Sequence, residues 1–151
     1  MTTHAREIYD LFLQQVSDYR LEVLFETSEE DFENFLEAWL IFSYSEFSNL
    51  DIDFDFDTDT GVFSRKLNLQ EKSILATLMM RYWLQKLVND VTQINLHIVD
   101  RDFRVASEAM NLREKTVYLN TVKEQCSQML SDYSYRKNDW ESWNNQNFGG
   151  W

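Results

Sequence analysis

The sequence predicts a mainly α protein: a small bundle of about four helices with one β-hairpin and an extended C-terminal arm. Three observations lead there. Proline is absent and the only glycines are Gly61, Gly149 and Gly150, so nothing before the final residues breaks a helix except one turn. Four stretches repeat apolar residues at helical spacing. Between the second and the third, the apolar period drops from about 3.6 residues to two.

The first helix is expected over residues 3–26, where Ile8, Leu11, Phe12, Val16, Tyr19 and Val23 form one stripe. Ser28 is placed to cap a second helix, with Asp31 three residues on as a weak capping box. Glu29, Glu30 and Asp31 then sit in a first turn, where the helix dipole favours anions. Phe32, Phe35, Leu36, Trp39 and Leu40 follow at i, i+3, i+4, i+7 and i+8, the cleanest amphipathic pattern in the chain. The hairpin spans residues 50–67. Leu50, Ile52, Phe54 and Phe56 alternate with Asp51, Asp53, Asp55 and Asp57, the pattern of a half-buried strand. Thr58 to Gly61 supplies the turn, and Val62 to Leu67 returns.

Asn68-Leu69-Gln70-Glu71 is a second cap signature and opens a third helix, from Leu69 to about Thr92. Its apolar residues, among them Ile74, Leu78, Tyr82, Trp83 and Val91, cover more than half its circumference. Such breadth suits a central helix or one with an intersubunit face, and Leu78, Tyr82 and Trp83 are the candidates for core or ring contacts. A connection over residues 93–102 leads to a fourth helix over 103–133. Ala109, Leu112, Thr116, Leu119, Cys126, Met129, Leu130 and Tyr133 mark its buried side. The bundle domain is thus 1–137 and the arm 138–151.

Composition narrows function. Net charge is −12, but residues 1–64 hold sixteen acids and two bases while residues 65–151 hold ten acids and twelve bases. This is a polarised molecule whose acidic end repels DNA and anionic membrane. The N-terminus has no apolar signal region, and the apolar run Ala38–Phe42 is far too short to span a bilayer. Cys126 is the only cysteine, which leaves no internal disulfide and no cysteine-based zinc site. It sits on an apolar helix side, as a small core residue does. His4 and His97 stand in no metal-ligand spacing and read as surface or linker residues. No two glycines frame a phosphate loop.

The acidic surface of Asp51, Asp53, Asp55, Asp57 and Asp59 invites a calcium-loop reading. Counted from Asp55, the loop glycine position falls on Thr60 and the bidentate glutamate position on Lys66, so the pattern fails at both. A solvated strand face is the better reading. Its like charges discourage stray strands and could be relieved by a basic partner or a weakly held cation. No constellation for chemistry emerges: the expectation is a protein that is not an enzyme, with no cofactor and no metal.

The last fourteen residues hold two acids, no Lys or Arg, and Trp140, Trp143, Phe148 and Trp151, without a helical or alternating period. Polar tails are usually poor in aromatics, and Trp is enriched at interface anchors. The segment reads as an arm that docks on another protein; the competing reading folds it back onto its own domain.

From Leu67 to Tyr135 the chain carries Leu67-Asn68-Leu69-Gln70-Glu71-Lys72, Trp83-Leu84, Arg101-Asp102-Phe103-Arg104 and Asp132-Tyr133-Ser134-Tyr135-Arg136. In these short motifs, over less than half its length, it resembles the head-to-tail connector (neck, portal adaptor) proteins of tailed bacteriophages. The resemblance implies a small helical virion protein, assembled in the host cytoplasm. It implies a ring, of twelve copies in that family, between the portal protein and the tail or neck proteins. It further implies a C-terminal arm reaching onto the portal and an acidic lumen past which DNA travels without specific binding. No membrane is involved. Two other readings stay open: an acidic DNA mimic that inhibits a host nucleic-acid enzyme, and a calcium-regulated binding module.

Overall fold

The computed structural model of the chain describes residues 1–16, 19–97 and 102–148. Their elements in order are α1 (Ala5–Gln15), α2 (Tyr19–Thr27), α3 (Glu29–Ser48), β1 (Phe56–Asp57), β2 (Val62–Phe63), α4 (Leu69–His97) and α5 (Asp102–Phe148). This is the mainly helical bundle with one small hairpin that the apolar periods predict. Everything assembles around α4. Seven consecutive residues, Ile74 to Met80, are buried, which a helix achieves only when neighbours cover it on all sides. α1 and α3 pack on it, and α5 runs beside it. Phe12, Leu36, Leu40, Phe47 and Phe63 fill the space between.

α4 and α5 are antiparallel. The Tyr133 hydroxyl donates to Glu71 near the start of α4, the Cys126 thiol faces the Thr77 carbonyl at 3.6 Å, and the Tyr118 hydroxyl reaches the Met80 sulfur at 3.9 Å. Of the side expected to be buried on α5, Leu119 and Cys126 are fully enclosed, joined by Val122; Leu112, Thr116, Met129, Leu130 and Tyr133 are half-buried. The Ala109 side chain lies outside the described residues. Leu78 is fully buried, while Tyr82 and Trp83 are half-buried at the edge of the bundle.

Several boundaries differ from the sequence expectation. The single helix over 3–26 is two helices. Val16 is extended at φ −120°, ψ 124°, and ends α1. α2 turns Leu21, which is not in that stripe, into the core; apolar residues keep helical spacing on both sides of Val16, so periodicity alone does not reveal the break. Val23, counted in that stripe, is exposed once α2 is reoriented; the Tyr19 side chain lies outside the described residues. α4 runs past Thr92 to His97, whose side chain, like that of Val91, is also outside them, as are residues 98–101 of the connection, Arg101 included.

The hairpin is shorter than its alternation suggests. Only Phe56↔Phe63 and Asp57↔Val62 pair as strands. Leu50 still belongs to the end of α3, where its N–H donates to the Phe47 carbonyl, and Asp51 takes a left-handed φ of 54°. The pairing the hairpin lacks on its own is supplied by the N-terminus. The Phe63 N–H donates to the Thr3 carbonyl, and the Thr3 N–H to the Arg65 carbonyl, while His4 bridges Val62. Thr3 is fully buried, and its hydroxyl accepts the Leu67 N–H at 2.8 Å. Gly61, at φ 64°, makes the turn and offers its carbonyl to the Ala5 N–H. His4 therefore does more than link: it caps α1, its ring accepting the Arg6 N–H and its own N–H donating to Glu7.

The largest difference is at the C-terminus. Residues 138–148, expected as an extended arm, are the last turns of α5. No proline or glycine stands between Asp102 and Phe148, so nothing in the chain stops the helix.

Candidate functional site

Two surfaces were marked in the sequence, the aspartate face of the hairpin and the aromatic C-terminal segment. On the hairpin, Asp51, Asp53, Asp55, Asp57 and Asp59 are exposed, Phe54 is buried, and Leu50, Ile52 and Phe56 are half-buried. The two faces are those the alternation predicts. The carboxylates, however, are not an unoccupied row. Asp53 takes the Arg65 guanidinium at 2.5 Å, which holds its carboxyl below the usual range. Asp57 accepts the Thr60 hydroxyl at 2.7 Å and the Asp59 N–H at 2.9 Å, and these bonds lower it likewise. Asp55 lies 3.4 Å from the Tyr44 hydroxyl, and Lys137 of α5 lies 3.9 Å from Asp51. Much of the expected like-charge repulsion is thus relieved within the chain. Among the described residues no three His, Cys, Asp or Glu side chains converge as metal ligands.

Beneath this face lies a cluster that the sequence shows only in part. Glu71, in the first turn of α4, is 1% exposed. It accepts two bonds from Arg65, at 2.6 and 3.0 Å, one from the Asn68 N–H at 2.8 Å and one from the Tyr133 hydroxyl at 3.0 Å. Asn68 in return accepts the Glu71 N–H at 2.9 Å, completing the expected cap. Arg65 also stacks over the Phe54 ring, 4.8 Å from its centroid. One buried carboxylate therefore ties the hairpin, α4 and α5 together. The Glu71 carboxylate in turn drives the Arg65 guanidinium above its ordinary value. Burial, followed by the same carboxylate, pushes the Tyr133 phenol up to about 12. The capping pattern Asn68–Glu71 was visible in the sequence; that Arg65 and Tyr133 converge on it is a product of packing.

A second pair joins α3 to α4. Arg81 donates to both Glu46 oxygens, one at 2.8 Å, and the Tyr82 hydroxyl donates to Glu46 at 2.8 Å. Burial pulls the Glu46 carboxyl upward, but the Arg81 and Tyr82 bonds outweigh it and leave the value lowered. Asp53 is lowered too, so the folded chain resists protonation at both sites more than the unfolded chain does. Their stabilisation is fully present above the ordinary carboxylate range and is lost as pH falls through the lowered values. The melting temperature should accordingly drop as pH falls below about 4.5. Glu46→Gln should flatten part of that drop in a thermal titration; an unchanged acid limb would show that this pair does not set it.

The C-terminal segment continues the geometry of α5. Tyr133 and Arg136 meet Glu71 and Gln70 at the beginning of α4, and Lys137 donates to the Asp51 carbonyl. Eleven more helical residues follow, about 16 Å at 1.5 Å per residue. Trp140 lies seven residues after Tyr133, two helical turns on, and so continues the same register. Trp143 lies ten residues after Tyr133, about 80° around the helix from it. Trp143 is 52% exposed. The side chains of Trp140 and Phe148, and all of Trp151, lie outside the described residues.

The chain matches no protein-family model, no curated protein and no solved structure. Among the described residues no helix is long and apolar enough to cross a membrane.

Proposed function

We propose that the protein is a non-enzymatic structural adaptor that docks through the end of α5, and that it serves in a virion as a head-to-tail connector between the capsid portal and the tail. The observation that carries the docking reading is that α5 continues as a helix to Phe148, eleven residues beyond Lys137, with Trp143 half exposed upon it. A partner helix or groove would cover it. The motifs from Leu67 to Tyr135 that resemble portal adaptors supply the virion context, with a ring of copies as the assembled form. In that context the exposed carboxylates of the hairpin would face a channel or the next ring. The chain itself would touch DNA only through repulsion.

The DNA-mimic reading draws on the same acidic half but leaves the aromatic end of α5 without a role. Asp53, Asp55 and Asp57 also turn to partners in their own chain, which makes them a poorer imitation of a regular phosphate row.

Antibody labelling of purified phage particles tests the virion assignment. Label at the head–tail vertex supports it, and label confined to the soluble fraction of the producing culture rejects it. For the docking element, a chain ending at Asn138 should melt within a few degrees of the full chain yet fail to join its partner or ring. Trp143→Ala should weaken that association by about 2 kcal/mol. Unfolding of the truncated chain would instead assign the segment to its own domain.

A further inference from the structure

A second surface, remote in sequence from the C-terminal segment, has the chemistry of a docking groove. Two adjoining hollows beside α1, α2 and α3, of about 310 and 280 Å³, share Leu13, Phe25 and Phe32. Leu21 and Val16 complete the apolar floor of the first. Phe25 stands between the two hollows, 54% exposed, with its ring edge-on to Phe32 at 5.3 Å. The rim is acidic: Glu22 edges one hollow, and Asp10, Glu29 and Glu33 edge the other. Arg6 is the only described cation on it, and it is already paired with Glu33 at 2.7 Å.

We infer that this groove binds an amphipathic helix of another protein, with two bulky apolar side chains one turn apart and flanking lysines or arginines. Each hollow has room for one large side chain, and the rim asks for cations. The same charge argument decides against the chain's own C-terminal segment as occupant. Residues 138–151 have aromatics to offer but carry Asp139, Glu141 and no cation, so they would meet the rim with like charge. The inference stands independently of the connector reading. It gives the protein two unlike docking elements, one acidic and concave, the other aromatic and helical.

The test uses the full chain and three labelled peptides: a 15-residue Leu/Lys amphipathic helix, the same peptide with Glu for Lys, and residues 138–151. The basic helix should bind with strong salt dependence. Phe25→Asn, with its fold checked by circular dichroism, should weaken it by about tenfold or more. Asp10→Asn with Glu22→Gln should weaken it severalfold and lower the salt dependence. Asp55→Asn with Asp59→Asn removes equal charge from the hairpin and should leave it unchanged. The proposal is overturned if the basic helix does not bind, if Phe25→Asn binds as the parent does, or if the hairpin variant weakens binding as much as the Asp10/Glu22 variant does, since attraction to net charge alone then explains it. It is equally overturned if the 138–151 peptide binds more tightly in a Phe25-dependent way, which would make a second copy the occupant.

Discussion

Glu71→Ala is expected to lower stability by about 3–5 kcal/mol, the range for breaking a buried, hydrogen-bonded ion pair. Three partners lose their acceptor at once: the Arg65 guanidinium, the Asn68 N–H and the Tyr133 hydroxyl. Arg65 itself is one-third exposed and can turn toward Asp53 and water, which places the effect at the lower end of that range. Asp53→Asn breaks the other half of the same arginine's pairing but should cost under about 1 kcal/mol. Its side chain is 70% exposed against 2% for Glu71, and water replaces most of what is lost. Glu71→Gln should fall between, because an amide oxygen still accepts the Asn68 N–H. Urea unfolding with an unchanged m-value measures all three. Near-equal losses for Glu71→Ala and Asp53→Asn would mean that burial does not decide the strength of these bonds here.

Phe54→Ala is expected to cost about 3–5 kcal/mol, as Phe truncations in cores do. Phe54 is 3% exposed and sits edge-on to Phe47 at 5.8 Å and to Phe63 at 5.9 Å, with Arg65 over its face. Phe56, half-buried against Phe63, should cost distinctly less when truncated. Asp55→Asn, one residue from Phe54 on the opposite face, should stay within about 0.5 kcal/mol. A denaturation series over these three variants reads the two faces of the hairpin directly; equal effects for Phe54 and Asp55 would contradict them.

The parts of this fold that were legible in the sequence are those governed by local rules. Ser28 and Asn68 start helices because their side chains accept N–H groups of the first turn, and both do so here. The alternation from Leu50 to Asp57 assigned each side chain to its inner or exposed side, even though Leu50 and Asp51 lie in a turn and not in extended backbone. It overstated the strand, because pairing depends on a partner: only Phe56 and Asp57 pair with β2, whose other neighbour is Thr3, sixty residues before Phe63. The end of α1 at Val16 has no local signal, because apolar residues keep helical spacing on both sides of it while the buried side passes to Leu21. The convergence of Arg65 and Tyr133 on Glu71 had no local signal at all, since the three meet only when the hairpin and α5 close on α4. At the C-terminus, counting tryptophans identified an unusual segment, but its irregular apolar spacing hid that residues 138–148 continue α5 as a helix.

Three ion pairs that tie the N-terminal half to later residues, Glu7–Lys72, Glu46–Arg81 and Asp53–Arg65, have the acid made first, whereas Arg6–Glu33 closes within that half. On the ribosome the strongly anionic first 64 residues emerge before any of these three cations. Thr3 likewise waits for Phe63, Arg65 and Leu67 before its backbone and hydroxyl are satisfied. At about 5–20 residues per second, the nascent chain spends several seconds with its acidic half unpaired. Like-charge repulsion over that interval opposes the collapse of α1 onto α3, and α4 then brings apolar surface and countercharges together. Synthesis order thus makes α4 the step at which the N-terminal half can first fold.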